Sequence, residues 1–103
     1  MLETHGKKKL EIIVESPLVG RVLALIEEQG ASGYTVLPGR AGAGHAGTWQ
    51  EGQISSAFNM EMILVIADAG VAQSLLEAAH RLLRDYTAII LMSDVEVIRA
   101  EHF

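Results

Sequence analysis

The glycine-rich stretch GRAGAGHAG, residues 39–47, is the part of the chain whose residue types could bind phosphate. It contains a literal G-x-G-x-x-G pattern at Gly42, Gly44 and Gly47. In a dinucleotide-binding fold these glycines open a helix, and the helix N-terminus holds the pyrophosphate. The residues that follow, TWQEGQ, have no apolar period and include another glycine, so we reject a dinucleotide-binding fold.

Residue chemistry leaves two interpretations of this stretch open. Consecutive small residues allow backbone N–H groups to turn inward and form an anion-binding nest, to which Arg40 and His45 could add positive charge. The alternative is a linker that the glycines keep pliant. Either way, we expect residues 39–55 to form a long flexible loop, because they show no hydrophobic periodicity and long loops in small domains are usually functional or disordered.

Other chemistry finds little support in the sequence. The four histidines, at positions 5, 45, 80 and 102, lack the spacing of metal ligands, so we expect no metal site. The absence of cysteine excludes disulfides and thiolate catalysis. No serine has the surroundings of a nucleophile, and no acid pair is placed for general acid–base work, so we expect no enzyme. Trp49 is either a local anchor or a contact for a partner protein, and we favour the partner contact.

The first half of the chain reads as strand, helix and short strand. Residues 9–15 alternate, with Leu10, Ile12 and Val14 on one face. Ser16 and Pro17 then predict a helix start, because serine caps helices and proline fits the first helical position. Gly30 is placed to end this helix, and residues 33–38 form a short strand.

The second half repeats this order after the loop. Alternation from Ser56 to Ile66 predicts a strand, and Asp68 can cap a second helix. The apolar stripe of that helix consists of Val71, Leu75, Ala78, Ala79, Leu82 and Tyr86. Residues 88–92 and 95–98 then predict a last strand in two pieces, with a bulge at Ser93-Asp94.

This order predicts an α+β chain with a ferredoxin-like βαββαβ fold, in which an antiparallel sheet carries both helices on one face. We expect one domain over residues 1–103, with residues 1–8 as a flexible N-terminus. The other face of the sheet would carry Ile13, Ile63, Val65 and one side of residues 88–92. That surface is too apolar to face water, so we expect a homo-oligomer.

Charge and hydropathy limit the partners and the location. The net charge of -5 argues against non-specific binding to nucleic acid. No apolar run approaches the ~18 residues that span a bilayer, so we expect no membrane span. The N-terminal MLETHGKKK lacks the apolar segment of a signal peptide, and we therefore expect a cytoplasmic protein.

Several segments together resemble a known family. They are Gly30-Ala-Ser-Gly-Tyr-Thr-Val-Leu, the glycine-rich loop, Asp85-Tyr-Thr-Ala-Ile-Ile, Glu96-Val and the closing His102-Phe103. This combination resembles the PII-like signalling proteins, in particular the branch that regulates bicarbonate uptake or accompanies carboxysome genes. The resemblance covers the chain from Lys9 to Phe103.

The resemblance implies a ferredoxin-like homotrimer that binds adenine nucleotides in clefts between subunits. The long loop between the second and third strands, called the T-loop in this family, changes conformation with the ligand and docks on a target. For this chain it implies a sensor of ADP or AMP, with bicarbonate as a candidate second ligand and no other cofactor. The implied target is a partner in inorganic-carbon metabolism, such as a bicarbonate transporter or a carboxysome-linked protein.

The resemblance also assigns nucleotide-binding positions. Thr35 and Leu37 would flank the adenine. The phosphates would meet the loop base, at Gly39, Arg40, Gly42, Gly44 and His45. A second segment, implied to come from the neighbouring subunit, would line the cleft with Tyr86, Thr87, Ala88 and Ile89. Arg99 would contact phosphate from the last strand.

Departures from the family pattern narrow these expectations. The lysine-rich Gly-x-Gly-Lys loop of nitrogen-regulatory members is absent, and His45 stands where bicarbonate-transporter regulators place arginine. The smaller fixed positive charge favours AMP and ADP over ATP. Two alternatives stay open: a metal-responsive trimer resembling the copper-tolerance protein of similar architecture, and a small hydrolase that uses the same cleft.

Overall fold

The computed structural model describes residues 2–44, 47–52 and 59–102. Strand β1 (His5–Glu15) leads through a 3-10 turn (Ser16–Leu18) into helix α1 (Val19–Glu28) and strand β2 (Thr35–Pro38). Strands β3 (Ala41–Gly44) and β4 (Gly47–Gln50) follow, and then come β5 (Met60–Ala67), α2 (Ala69–Leu83), β6 (Ala88–Val97) and a 3-10 turn (Ala100–His102). None of the described helices is long and apolar enough to cross a bilayer.

The main sheet has four strands in the order β2-β5-β1-β6, and its ladders are antiparallel. Both helices pack on one face of this sheet, which confirms the ferredoxin-like fold. The centre of the core between the layers consists of fully buried side chains from the two inner strands and both helices: Leu10, Ile12 and Val14 of β1, Ile63 and Val65 of β5, Val22 and Ile26 of α1, and Ala72, Leu75 and Ala79 of α2. β1 and β5 are the two inner strands, because β1 pairs with β5 and β6 and β5 pairs with β1 and β2.

The prediction for the open face of the sheet was wrong for β5. Ile63 pairs with Ile12, and both side chains are fully buried under the helices. The neighbouring pair, Ile13 and Met62, faces the other way, because side chains alternate along a strand. Both sides of β5 are apolar, so its sequence did not reveal which side faces the core. The apolar side chains on the open face include Ile13, Leu37, Met62, Leu64, Ile66, Ile89 and Leu91.

The expectation of a flexible N-terminus over residues 1–8 does not hold for residues 5–8, which belong to β1. This part of β1 pairs with β6, where His5 lies opposite Val97. Two lysines are held by carboxylates: Lys7 Nζ lies 2.5 Å from Asp68 Oδ1, and Lys8 pairs with Asp94. These cross-strand and strand–helix contacts order a segment that looks like a solvated chain end in sequence.

The ends of the helices differ from the predictions in three details. Ser16 does not cap α1; its backbone N–H donates to the Asn59 carbonyl over 2.9 Å, and the α-helix begins three residues later. Asp68 occupies the N-cap position of α2 as predicted, but its side chain makes no capping bond and pairs with Lys7 instead. Tyr86 lies in the turn beyond α2 rather than on its apolar stripe.

β6 is a single strand without the predicted bulge at Ser93-Asp94. Its pairing with β1 runs unbroken through both residues, with Ser93 opposite Lys9 and Asp94 opposite Lys8. The polar pair therefore marks an exposed section of a continuous strand. The ion pair between Lys8 and Asp94 links the two strands at this point.

The segment predicted as a loop over residues 39–55 contains regular structure. β3 and β4 pair as an antiparallel hairpin, in which Gly42 lies opposite Trp49. Hydrophobic periodicity does not show these strands, because most of their residues are glycine or alanine. Residues 45, 46 and 53–58 lie outside the described residues, and so does the predicted start of the next strand at Ser56.

Gly30 ends α1 as predicted, and its replacement by alanine is expected to destabilise the protein by about 1 kcal/mol. Its φ is +87°, and the N–H groups of Gly30 and Ala31 donate to the Glu27 and Ile26 carbonyls, as in a Schellman motif. A side chain at this φ is strained. Urea unfolding followed by circular dichroism would measure the loss.

Gly20→Ala is the control for this prediction. Gly20 lies inside α1, and an added Cβ would have no atom within 4 Å. Alanine is the better helix former, so this variant is expected to gain about 0.5–1 kcal/mol. Equal effects of the two substitutions would contradict the role given to Gly30.

Candidate functional site

A cavity of about 440 Å³ opens where the end of β2, the β3–β4 hairpin, the start of β5 and residues 87–89 meet. Strand pairing brings these segments together. Pro38 lies opposite Glu61, and the Gly39 N–H donates to the Met60 carbonyl over 2.8 Å. On the other side of the cavity, Ile13 of β1 lies opposite Ile89 of β6. The cavity, called the cleft below, is thus fixed by the register of the main sheet and roofed by the hairpin.

Most of the predicted site residues that the structure describes line this cleft. They are Leu37, Gly39, Gly42, Gly44, Thr87, Ala88 and Ile89. The resemblance implied that residues 86–89 reach the cleft from a neighbouring subunit, whereas residues 87–89 line it within the same chain as the hairpin. A contribution of the same segment to a neighbour's cleft stays a prediction.

Other predicted residues lie away from the lining. Thr35 is farther along β2, opposite Leu64, and Arg99 follows β6. Tyr86 lines a second cavity of about 200 Å³ with His80 and Arg84, and its hydroxyl accepts a hydrogen bond from Arg21 Nη1 over 3.3 Å. His45 lies outside the described residues.

Arg40 lies at the base of the hairpin, next to the cleft-lining Gly39 and Ala41. Its backbone carbonyl accepts a hydrogen bond from the Glu51 N–H over 2.6 Å, which closes the hairpin beyond the last residue of β4. The Arg40 side chain is exposed and is not among the residues that line the cleft. Its role toward the phosphates stays a prediction.

Trp49 is half-buried and lines the cleft from the hairpin. A Cβ added to Gly42 would lie 2.5 Å from the indole Nε1, and one added to Gly39 would lie 2.7 Å from Cη2. The indole thus occupies the space that side chains at both glycines would fill. In this structure Trp49 is a local anchor, the alternative that the sequence left open, and its contact with a partner protein stays a prediction.

Two carboxylates that the sequence did not single out, Glu15 and Glu61, also line the cleft. Each lies near the end of a strand, where a charged residue usually marks solvent exposure, so only the register of the sheet brings them together. Among the described lining residues there is no cationic side chain. The carboxylates can accept hydrogen bonds from hydroxyl or amino groups of a ligand, and they repel phosphate.

Within residues 2–44, 47–52 and 59–102, no three His, Asp or Glu side chains lie together in a way that could hold a metal ion.

Comparison with known structures places the fold among PII-like proteins. CPII of Thiomonas intermedia K12, described as a nitrogen regulatory PII-like protein bound to ADP, AMP and bicarbonate, is 23% identical with a TM-score of 0.89, over 100% of this chain and 98% of that one. A PII-like signalling protein of Thermus thermophilus is 22% identical with a TM-score of 0.82, over 98% of each chain. The GlnK–ATP complex of B. subtilis is 14% identical with a TM-score of 0.63, over 87% of this chain and 82% of that one.

A search of curated proteins found no significant match. The family model for nitrogen regulatory protein P-II matches residues 7–102, from the first lysines of β1 to the final 3-10 turn. The match thus includes all of the main sheet except the first two residues of β1, and it includes both helices and the cleft. Together with the fold, it shows that the chain belongs to the nitrogen regulatory protein P-II family.

Proposed function

We propose that this PII-like signalling protein senses adenine nucleotides, and that ADP or AMP binds in the cleft under the hairpin. The observation that carries the proposal is the cleft itself. Its volume of about 440 Å³ suits a small-molecule ligand, and its lining includes seven of the residues that the family resemblance assigns to the nucleotide. The proposal also draws support from the ADP and AMP named for CPII, which has the same fold.

Each part of a nucleotide finds a matching surface in the cleft. The adenine packs against the apolar side chains of Ile13, Leu37 and Ile89, which share the open face of the sheet. Ribose hydroxyls donate to Glu15 or Glu61, whose carboxylates line the same cleft. The phosphates lie toward the hairpin, where backbone N–H groups and Arg40 are their partners.

The charge of the cleft favours ligands with few phosphates. Two carboxylates line it, and the nearest cation along the hairpin is Arg40. Each further phosphate adds negative charge against this background, so AMP and ADP bind better than ATP. Bicarbonate is the proposed second ligand, since a small anion beside the phosphates can use hairpin N–H groups that the nucleotide leaves free.

The signalling mechanism follows from the position of the hairpin. A ligand that contacts the hairpin stabilises the hairpin in its position over the cleft, which is called the closed position below. A partner protein then distinguishes this closed position from an open one in which the hairpin has moved away from the cleft. The protein acts in the cytoplasm as a non-enzymatic homotrimer that covers its apolar sheet faces. The regulated partner belongs to inorganic-carbon metabolism, with a bicarbonate transporter or a carboxysome-linked protein as the candidates.

Calorimetric titration with AMP, ADP, ATP and cyclic AMP, each with and without bicarbonate, tests the proposal. We expect ADP and AMP to bind more tightly than ATP, and bicarbonate to change the affinity of at least one of them. Absence of heat with every adenylate would refute nucleotide sensing.

Arg40→Ala is expected to weaken ADP binding by about 1–3 kcal/mol, because a charge-assisted hydrogen bond to phosphate is lost. The same titration measures the change. Arg81→Ala, on the exposed side of α2, removes the same charge far from the hairpin and serves as the control. If both variants bind ADP like the wild type, Arg40 does not belong to the site.

A further inference from the structure

The contact between Trp49 and Gly42 joins the two strands of the hairpin on the side of the cleft. The two residues lie directly opposite each other in the β3–β4 register, and both line the cleft. The indole extends across the hairpin base as far as Gly39, whose N–H is bonded to the Met60 carbonyl of β5. One side chain therefore ties β4 to β3 and to the point where the hairpin leaves the main sheet.

This contact requires glycine at position 42. A Cβ there would lie 2.5 Å from Nε1, 2.8 Å from Cε2 and 3.0 Å from Cζ2 of the indole. These three atoms belong to a rigid bicyclic ring, which cannot bend away at one end as a flexible side chain can. Any side chain at position 42 must therefore move the whole ring or separate the two strands.

We propose that Trp49, seated on Gly42, holds the hairpin over the cleft and is a positioning residue for the bound nucleotide. The identity of the ligand rests on the proposed function, whereas the contact itself does not. With the indole in place, the hairpin N–H groups and Arg40 stand at the cleft. With the indole displaced, the hairpin keeps the Gly39 N–H bond to the Met60 carbonyl but loses the packing of Trp49 against Gly39 and Gly42 that holds it over the cleft.

The effect on affinity follows from the fraction of molecules with a closed hairpin. The apparent dissociation constant equals the intrinsic constant divided by the competent fraction. If alanine at position 42 lowers that fraction from about nine-tenths to about one-tenth, ADP binds about ninefold more weakly. By linkage, ADP must in turn favour the closed position of Trp49 in the wild type.

Trp49 is the only tryptophan of the chain, so its fluorescence reports this contact directly. The first experiment needs no ligand: acrylamide quenching of wild type, Gly42→Ala and two controls. Gly33→Ala adds the same methyl group outside the hairpin, where a Cβ meets no atom within 4 Å. Thr48→Ala changes an exposed residue beside Trp49. We expect Gly42→Ala to be quenched more strongly than the wild type and both controls to resemble the wild type.

The second experiment adds ADP to the same four proteins. We expect ADP to protect Trp49 from acrylamide in the wild type and both controls, and to bind Gly42→Ala about ninefold more weakly in calorimetry. Far-UV circular dichroism of each variant establishes that the main sheet and helices are intact. Trp49→Ala should bind ADP as weakly as Gly42→Ala, because both variants lose the same contact.

The outcomes separate this inference from the proposed function. Equal quenching of wild type and Gly42→Ala would overturn the positioning role, whatever the ligand does. Normal ADP affinity in both Gly42→Ala and Trp49→Ala would also overturn it. If no adenylate binds the wild type, the proposed function fails, while the quenching comparison without ligand still decides whether Gly42 seats the indole.

Discussion

Leu91→Glu is expected to convert the proposed homotrimer into single chains. Leu91 lies on the open face of the sheet, is 49% exposed in one chain, and stands directly opposite Glu11. A glutamate there would bring two like charges together and bury a carboxylate without a partner when subunits pack face to face. Size-exclusion chromatography with light scattering would then report a mass near 11.1 kDa, that of one chain.

Gln73→Glu is the matched control. It adds the same charge at an exposed position of α2, on the opposite side of the molecule, and should leave the mass of the assembly unchanged. A trimer that survives Leu91→Glu would show that the open face is not the subunit interface. A wild-type protein that already runs as one chain would remove the homotrimer from the proposed mechanism.

Strands and helices whose apolar residues lie on one face only could be predicted from the sequence. The alternation of Leu10, Ile12 and Val14 fixed the inner face of β1, and Gly30 marked the end of α1. The strand–helix order was then enough to obtain the ferredoxin-like fold, because right-handed crossovers place both helices on one face. The alternation in β1 and the glycine at the end of α1 each lie within a few consecutive residues, so neither depends on how distant segments pack.

Features that depend on pairing between distant segments could not be predicted in the same way. β5 is apolar on both sides, so only its register with β1 shows that Ile63 faces the core. Most residues of the β3–β4 hairpin are glycine or alanine and give no hydrophobic period, so its alignment follows only from the pairing of the two strands, in which Trp49 lies against Gly42. Hydrophobic periodicity along one segment therefore does not predict features that depend on how distant segments pair.

The cleft too combines residues that could be predicted from the sequence with residues that only the pairing of distant strands brings together. Residue chemistry left phosphate binding open for the glycine-rich stretch, whereas the assignment of residues 87–89 to the nucleotide came from the family resemblance. Glu15 and Glu61 were missed because a carboxylate at a strand end looks solvent-exposed in sequence. The pairing of β5 with β1 and β2 turns both into lining residues, and this adds hydroxyl acceptors to the phosphate-binding groups that the sequence led us to expect.

Ile12→Ala is expected to lower the free energy of unfolding by about 2–4 kcal/mol, a large share of the 5–15 kcal/mol typical of small domains. Ile12 of β1 is fully buried, and it lies opposite Ile63 of β5 and Ile90 of β6. The cavity left by the missing atoms cannot collapse easily, because strands on both sides and helices above hold its walls. Urea unfolding at one fixed chain concentration would measure the change.

Fixed concentration matters because assembly stabilises folded chains by mass action, and a variant compared at another concentration would mix the two effects. Ile98→Ala removes the same atoms at a position that is 61% exposed and should change the free energy by less than about 0.5 kcal/mol. Similar losses at both positions would mean that Ile12 does not lie in the core between β1 and the helices. A loss confined to Ile12 would support the register on which the cleft depends, since the same β1 pairings place Ile13 and Ile89 side by side in its wall.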